Sequence, residues 1–326
     1  MPTFCRHGRL AENCPICSKK SRVAASPTRS VARREPRPAG SKPARGPRKA
    51  TSSGMVVRRM QRAAEDGYEH DLVPGLRASA DAARLADELA FSAARLRQLS
   101  EDPPGLYAEV ASAEDREEAA WLAFLIAFLS PLEDVEDPFS GIRAVRTSWA
   151  SGEMPSLDGA AVGPRTAYDP KRGDAAPAAY RAWAERHGGQ VASLTGEATW
   201  TPQNRYDRAF ERLGLPGFGR SHRVELLVSA QCLGVVDLDP WTLHLASASP
   251  VDPVAIAAKR ILGIGDPVLL QRRQRDLAHG VGVPVGALEL ALHNWSAPSE
   301  AGRIRAGATA DADPDERARI AAALGV

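Results

Sequence analysis

An all-α body is what this sequence predicts, and three observations lead there. From about residue 55 onward, apolar residues recur at helical spacing in one run after another. Prolines and glycines punctuate those runs where helices should start and stop. Strictly alternating apolar and polar stretches, the mark of strands, are missing. Apolar residues make up 44% of the 326 and charged residues 25%, which suits a globular body and excludes a wholly disordered chain. The longest unbroken apolar run, Ala119 to Leu129, has eleven residues. A bilayer span needs about 20, so neither an integral membrane protein nor a membrane partner is expected.

The chain opens with Cys5-Arg-His7 and, after a six-residue gap, Cys14-Pro-Ile-Cys17. Three thiols and one imidazole make a complete tetrahedral set for zinc, with no open position for catalysis. So short a segment cannot bury a core, so metal binding would supply its folding energy. Residues 1–17 are therefore expected to form a structural zinc knuckle; no organic cofactor is indicated.

Residues 18–54 hold Ser, Pro, Ala, Gly and basic side chains without apolar periodicity, and should form a disordered linker. Residues 1–60 carry 15 Lys/Arg against 2 Asp/Glu, a net of +13, while the remainder carries 27 against 38, a net of −11. A basic arm on an acidic body is drawn to polyanions, above all nucleic acid. Three cysteines near the N-terminus and a lone Cys232 do not form a disulfide framework, and no secretory pattern precedes them. A reducing, cytoplasmic and nucleoid-associated setting is expected.

Residues 55–299 read as the helical body, in two lobes, and 300–326 as a peripheral last helix. Leu85, Leu89, Leu96 and Leu99 share one face of the first helix, which Pro103-Pro104-Gly105 ends. Ser112 should open the next, carrying Trp121 to Leu129 into the centre of the domain. A helix follows near 139–150, then a Gly/Pro/Asp-rich loop over 151–174. Helices are expected near 175–187, 205–213, 220–233, 253–262, 267–279, 284–295 and 314–324.

The most informative stretch is 205–239. Leu215-Pro216-Gly217-Phe218-Gly219 lies between two helices and should form a tight hairpin. Gly217, Gly219 and Arg220 would present donors at the start of the second helix, a place favourable to a phosphate oxygen. That pattern suits a grip on nucleic-acid backbone without sequence readout. Beyond the helix, Asp237 and Asp239 place two carboxylates in a turn, one of them capping the helix expected next.

Here the chain resembles the helix-hairpin-helix DNA glycosylase superfamily, over Leu215 to Leu245 and, more loosely, over residues 115–295. Phe128-Leu129-Ser130 is similar to a signature on the family's buried helix. The resemblance implies two helical lobes holding DNA and an everted base between them, with Asp239 at the spacing of the family's catalytic aspartate. It departs in two ways: Ser221 stands where some members carry a Schiff-base lysine, and no iron–sulfur cysteines follow Cys232. Strand-nicking lyase chemistry is therefore not expected. More narrowly, residues 221–231, 257–266 and Leu292-His-Asn-Trp295 resemble the alpha-glutamyl/putrescinyl thymine pyrophosphorylase group. That likeness implies displacement of pyrophosphate from a modified uracil in DNA by an amine or amino acid.

On this reading Asp239 or Asp237 is the catalytic base, and Ser221 and His222 join the hairpin in holding phosphate. Gln231 reads a base edge; Trp241, Trp295 or Tyr206 stacks on the base; Lys259 and Arg260 hold the leaving phosphates. The alternatives are a monofunctional glycosylase that hydrolyses the N-glycosidic bond of a modified base, and a DNA-binding adaptor without catalysis.

Overall fold

A computed structural model describes residues 63–298 and 301–326. The zinc-knuckle residues Cys5, His7, Cys14 and Cys17, and the basic linker, lie outside the described residues. Among those described there are twelve α-helices, one short 3-10 turn and no strand. No helix is long and apolar enough to cross a membrane.

In chain order the helices are α1 (Ser79–Glu101), α2 (Leu106–Ser112), α3 (Arg116–Leu129), α4 (Ser140–Val145), α5 (Ala175–Arg186) and α6 (Gln190–Thr195). There follow α7 (Pro202–Arg212), α8 (Arg220–Cys232), α9 (Pro253–Leu262), α10 (Pro267–Val281), α11 (Ala287–Ser296) and α12 (Pro314–Ala323). Local chemistry fixes many of the starts. Thr201-Pro202, Asp252-Pro253, Asp266-Pro267 and Asp313-Pro314 each pair a capping side chain with a proline at the first helical position. The cap satisfies an orphan N–H, and proline removes another at no cost in hydrogen bonds.

Helix α3 sits at the centre, as its nearly all-round apolar composition requires. Trp121, Phe124 and Phe128 line it, and Tyr180 from α5 lies flat on Phe124 with ring centroids 3.9 Å apart. Helix α8 packs beside α3, and α1 packs against α11 and α12. The described residues belong to one compact unit; their contacts do not separate two lobes.

Four local expectations are corrected. Residues 63–78 are not helical, and the first helix begins at Ser79. Ser112 ends a helix, and the central one is opened by Asp115, whose carboxylate accepts from the N–H groups of Glu117 and Glu118. No helix follows Asp239, which therefore caps none; residues 238–244 carry no regular structure. Nor is the last helix peripheral. Ile320 and Leu324 are fully buried, and the Tyr68 hydroxyl donates to the Leu324 carbonyl.

Candidate functional site

The hairpin between α7 and α8 follows from its sequence. Phe218 N–H donates to the Leu215 carbonyl at 3.1 Å, with Pro216 and Gly217 between them and Gly217 at φ +79°. That is a type II turn, which needs proline's fixed φ first and a residue tolerant of positive φ second. Phe218 pins it by burying its ring 5.3 Å from that of Phe124. Gly219 is exposed and stands at the N-cap of α8 without a side-chain cap. The tight turn and the helix start expected between residues 215 and 220 are thus in place.

The expected role of the Arg220 side chain is not. It turns inward and is buried, with Nε 2.7 Å from Asp252, Nη1 2.7 Å from Glu289 and 3.0 Å from the Leu243 carbonyl. Glu289 also meets Arg165 at 3.2 Å, Arg165 meets Glu225 at 3.1 Å, and Glu225 pairs with Arg95. Three arginines and three acids thus alternate in one buried chain. Charges taken out of water are tolerable only when paired in this way. Glu225 is the clearest case. Burial alone would raise its pKa, but Arg95 and Arg165 overcome that and hold it at about 2.

His222 is likewise unsuited to hold phosphate or act as an acid. Burial, helped by the Arg165 charge, pushes its pKa down to about 4, so it is neutral near pH 7. Its Nε2 lies 3.1 Å from the Arg165 carbonyl. Half-buried Ser221 lines a small cavity of about 10 Å³ with Arg165, His222 and Glu225. That is room for roughly one water.

A far larger concavity lies elsewhere. A groove of about 770 Å³ runs between the C-terminal ends of α1 and α8, the 238–241 segment, α10 and α12. It brings together three of the anticipated residues: Asp239, Gln231 and Trp241. Asp239 is exposed and accepts from Gln203 Nε2 at 2.9 Å. The Trp241 indole N–H donates to Asp207 at 3.1 Å, which fixes the plane of the ring. Leu96, Val228, Leu238 and Val285 give the groove an apolar floor. Such a place suits a flat, partly polar ligand.

Other candidates fall outside it. Asp237 is exposed and paired with Arg205 at 2.7 Å, away from the groove lining. Lys259 is exposed on α9, and Arg260 pairs with Asp81 at 3.1 Å over the Trp295 ring. Neither lines the groove. Trp295 and Tyr206 are core residues, 1% and 0% exposed, and cannot stack on a ligand.

One spacing expectation also changes. The hairpin stands at the N-terminus of α8 and Asp239 beyond its C-terminus, separated by a 13-residue helix. At 1.5 Å per residue that is about 20 Å, so the elbow and the acid do not meet at one point. Among the groove residues not anticipated from sequence are Arg275 and His279 on α10. Their i, i+4 spacing was readable, but only the fold says which way that face points. Among the described residues no cluster of His, Cys, Asp and Glu could hold a metal. No family model matches the chain, and no curated protein or solved structure was found to match it either.

Proposed function

We propose that this protein modifies bases in DNA, displacing pyrophosphate from a pyrophosphorylated hydroxymethyluracil with an amine, and that the groove beside Asp239 is where the reaction occurs. One observation carries the reading: an exposed carboxylate, an indole held edge-on by Asp207 and a glutamine amide share one apolar-floored groove. A base needs a stacking face and a polar edge, and a displacement by an amine needs a proton acceptor.

The step balances without a cofactor. The amine nitrogen gives its lone pair to the exocyclic methylene carbon, forming a C–N bond. The C–O bond to the diphosphate breaks, and pyrophosphate leaves with that electron pair. Asp239 takes the proton that the nitrogen sheds. Gln203 holds the carboxylate in place without neutralising it. The hairpin at residues 215–219 would grip the strand at some distance, and the basic arm would supply non-specific attraction.

The test is amine-dependent release of pyrophosphate from DNA carrying pyrophosphorylated hydroxymethyluracil. Release with the wild type and its loss in Asp239→Asn are expected. Abasic sites formed on damaged-base oligonucleotides would instead select a monofunctional glycosylase. Absence of both activities, with DNA binding kept, would select the adaptor.

A further inference from the structure

The proposed reaction produces pyrophosphate, and the residues first assigned to hold it, Lys259 and Arg260, do not line the groove. We propose that Arg275 and His279 on α10 form the diphosphate subsite. This inference rests on the reading of the groove given above.

Three arginines lie close together on α10, and their partners differ. Arg272 approaches Asp276 at 3.9 Å, and Arg273 donates to the Asp71 carbonyl at 3.4 Å. Arg275 has no carboxylate within ion-pair distance among the described residues. Instead its guanidinium carbon lies 4.9 Å from the centroid of the Trp241 ring, on the groove wall. Arg97 also reaches the groove, but Glu316 takes its charge at 2.7 Å. Among the described residues Arg275 therefore brings a cation without an ion-pair partner into the groove that holds Asp239.

Its geometry suits a phosphoryl group. Stacking occupies the flat face of a guanidinium and leaves its N–H donors in the plane, where they can bind phosphate bidentately. The Trp241 ring beneath its guanidinium carbon holds Arg275 on the groove wall, and Trp241 is itself anchored by the indole N–H donating to Asp207 at 3.1 Å. His279 lies one helical turn further along the same face and also lines the groove. Two donors a turn apart can address two linked phosphoryl groups, where a single carboxylate would use only one. Arg275 and His279 thus bind the leaving group, and Asp207 and Trp241 act as positioning residues.

Inorganic pyrophosphate titrated calorimetrically into the full-length protein tests this without DNA or amine. The salt is held near about 150 mM, so that the basic arm contributes equally and weakly to every variant. Arg275→Gln should weaken binding at least about tenfold, since a charge-assisted contact to phosphate is lost, and His279→Gln severalfold, since a ring N–H donor is lost. Arg275→Lys keeps the charge but not the planar fork and should fall between; it also serves if Arg275→Gln proves poorly folded in thermal unfolding. Lys259→Gln should bind like the wild type. Wild-type protein that fails to bind pyrophosphate, or Arg275 variants that bind it unchanged, would overturn the subsite. Pyrophosphate release from DNA at the wild-type rate in Arg275→Gln would overturn the subsite and leave the proposed function standing. Arg275-dependent pyrophosphate binding in a protein inert toward the modified DNA would do the reverse.

Discussion

Arg220 and Glu289 meet inside the protein at 2.7 Å, joining the first turn of α8 to the first turn of α11. Glu289 is 2% exposed and also holds Arg165, so one carboxylate serves two buried guanidiniums. Removing its charge leaves the three guanidiniums of the chain facing two acids, Asp252 and Glu225. Glu289→Gln should cost about 3–5 kcal/mol, the usual penalty for breaking a buried pair from one side. Denaturant titration of the variant checks this. A loss below about 1 kcal/mol, the scale of a surface pair, would mean that water reaches the chain of charges.

Acid should destabilise the protein earlier than its carboxylates alone would suggest. His222 and His293 are held neutral by burial, aided by Arg165, with pKa values of about 4 and about 3 against 6.5 when unfolded. Below pH 6.5 the unfolded chain takes up protons that the folded chain refuses, so stability falls as pH drops toward those values. Glu225 adds a second limb. Its pKa of about 2, against 4.5 unfolded, contributes about 3 kcal/mol above pH 4.5, lost as pH falls through about 2. Unfolding free energy measured from pH 7 to pH 4 should decline, and His222→Gln should flatten that decline. An unchanged slope in the variant would show that His222 is already solvated.

How much of this was legible in the sequence varies by element. The hairpin was readable, because Pro216-Gly217 admits few backbone shapes. Three helix starts were too, since an Asp-Pro pair stops one segment and opens the next; the start at Thr201-Pro202 was placed three residues late. The short helix α6 was missed; six residues hold too little periodicity to stand out. The buried charges at Glu225 and Glu289 were also missed. Glu289 lies between Leu288 and Leu290, a hint that the helix is apolar around it. Its partners Arg165 and Arg220 lie 124 and 69 residues away in sequence, and only the fold brings them together. The offset between the hairpin and Asp239 escaped for a related reason: a residue count does not say where the chain goes after the helix ends.

Grip on DNA should depend on the arm far more than on the body. Residues 201–299, which include the hairpin and much of the groove lining, hold 10 Lys/Arg and 9 Asp/Glu and are nearly neutral. Deleting residues 1–54 should weaken binding to non-specific duplex and flatten its dependence on salt, since fewer counterions are released. Fluorescence anisotropy across a salt series measures both. Equal slopes for the two proteins would assign the arm another role.

Gly217→Ala should separate strain from space. A Cβ there would sit 3.6 Å from the nearest atom, Arg172 Nη1, an ordinary contact. The φ of +79° is the obstacle, since an L side chain in that region costs about 1–2 kcal/mol. Thermal unfolding should show that loss without misfolding. A loss well beyond it would mean that the turn tolerates no added atom at all.

Asp237 and Asp239 lie two residues apart and should behave in opposite ways. Asp237 is exposed and paired with Arg205 outside the groove, so Asp237→Asn should remove at most about 1 kcal/mol of stability and leave turnover unchanged. Asp239 lines the groove and is held only by Gln203 and its own backbone contacts. If it accepts the proton from the amine, Asp239→Asn should lower the single-turnover rate by about 10²–10⁴, the range for loss of a positioned general base. Its effect should shrink as pH rises, because a larger fraction of the amine then arrives already deprotonated. A pH-independent loss would make Asp239 a binding residue, and an unchanged rate would remove it from the reaction.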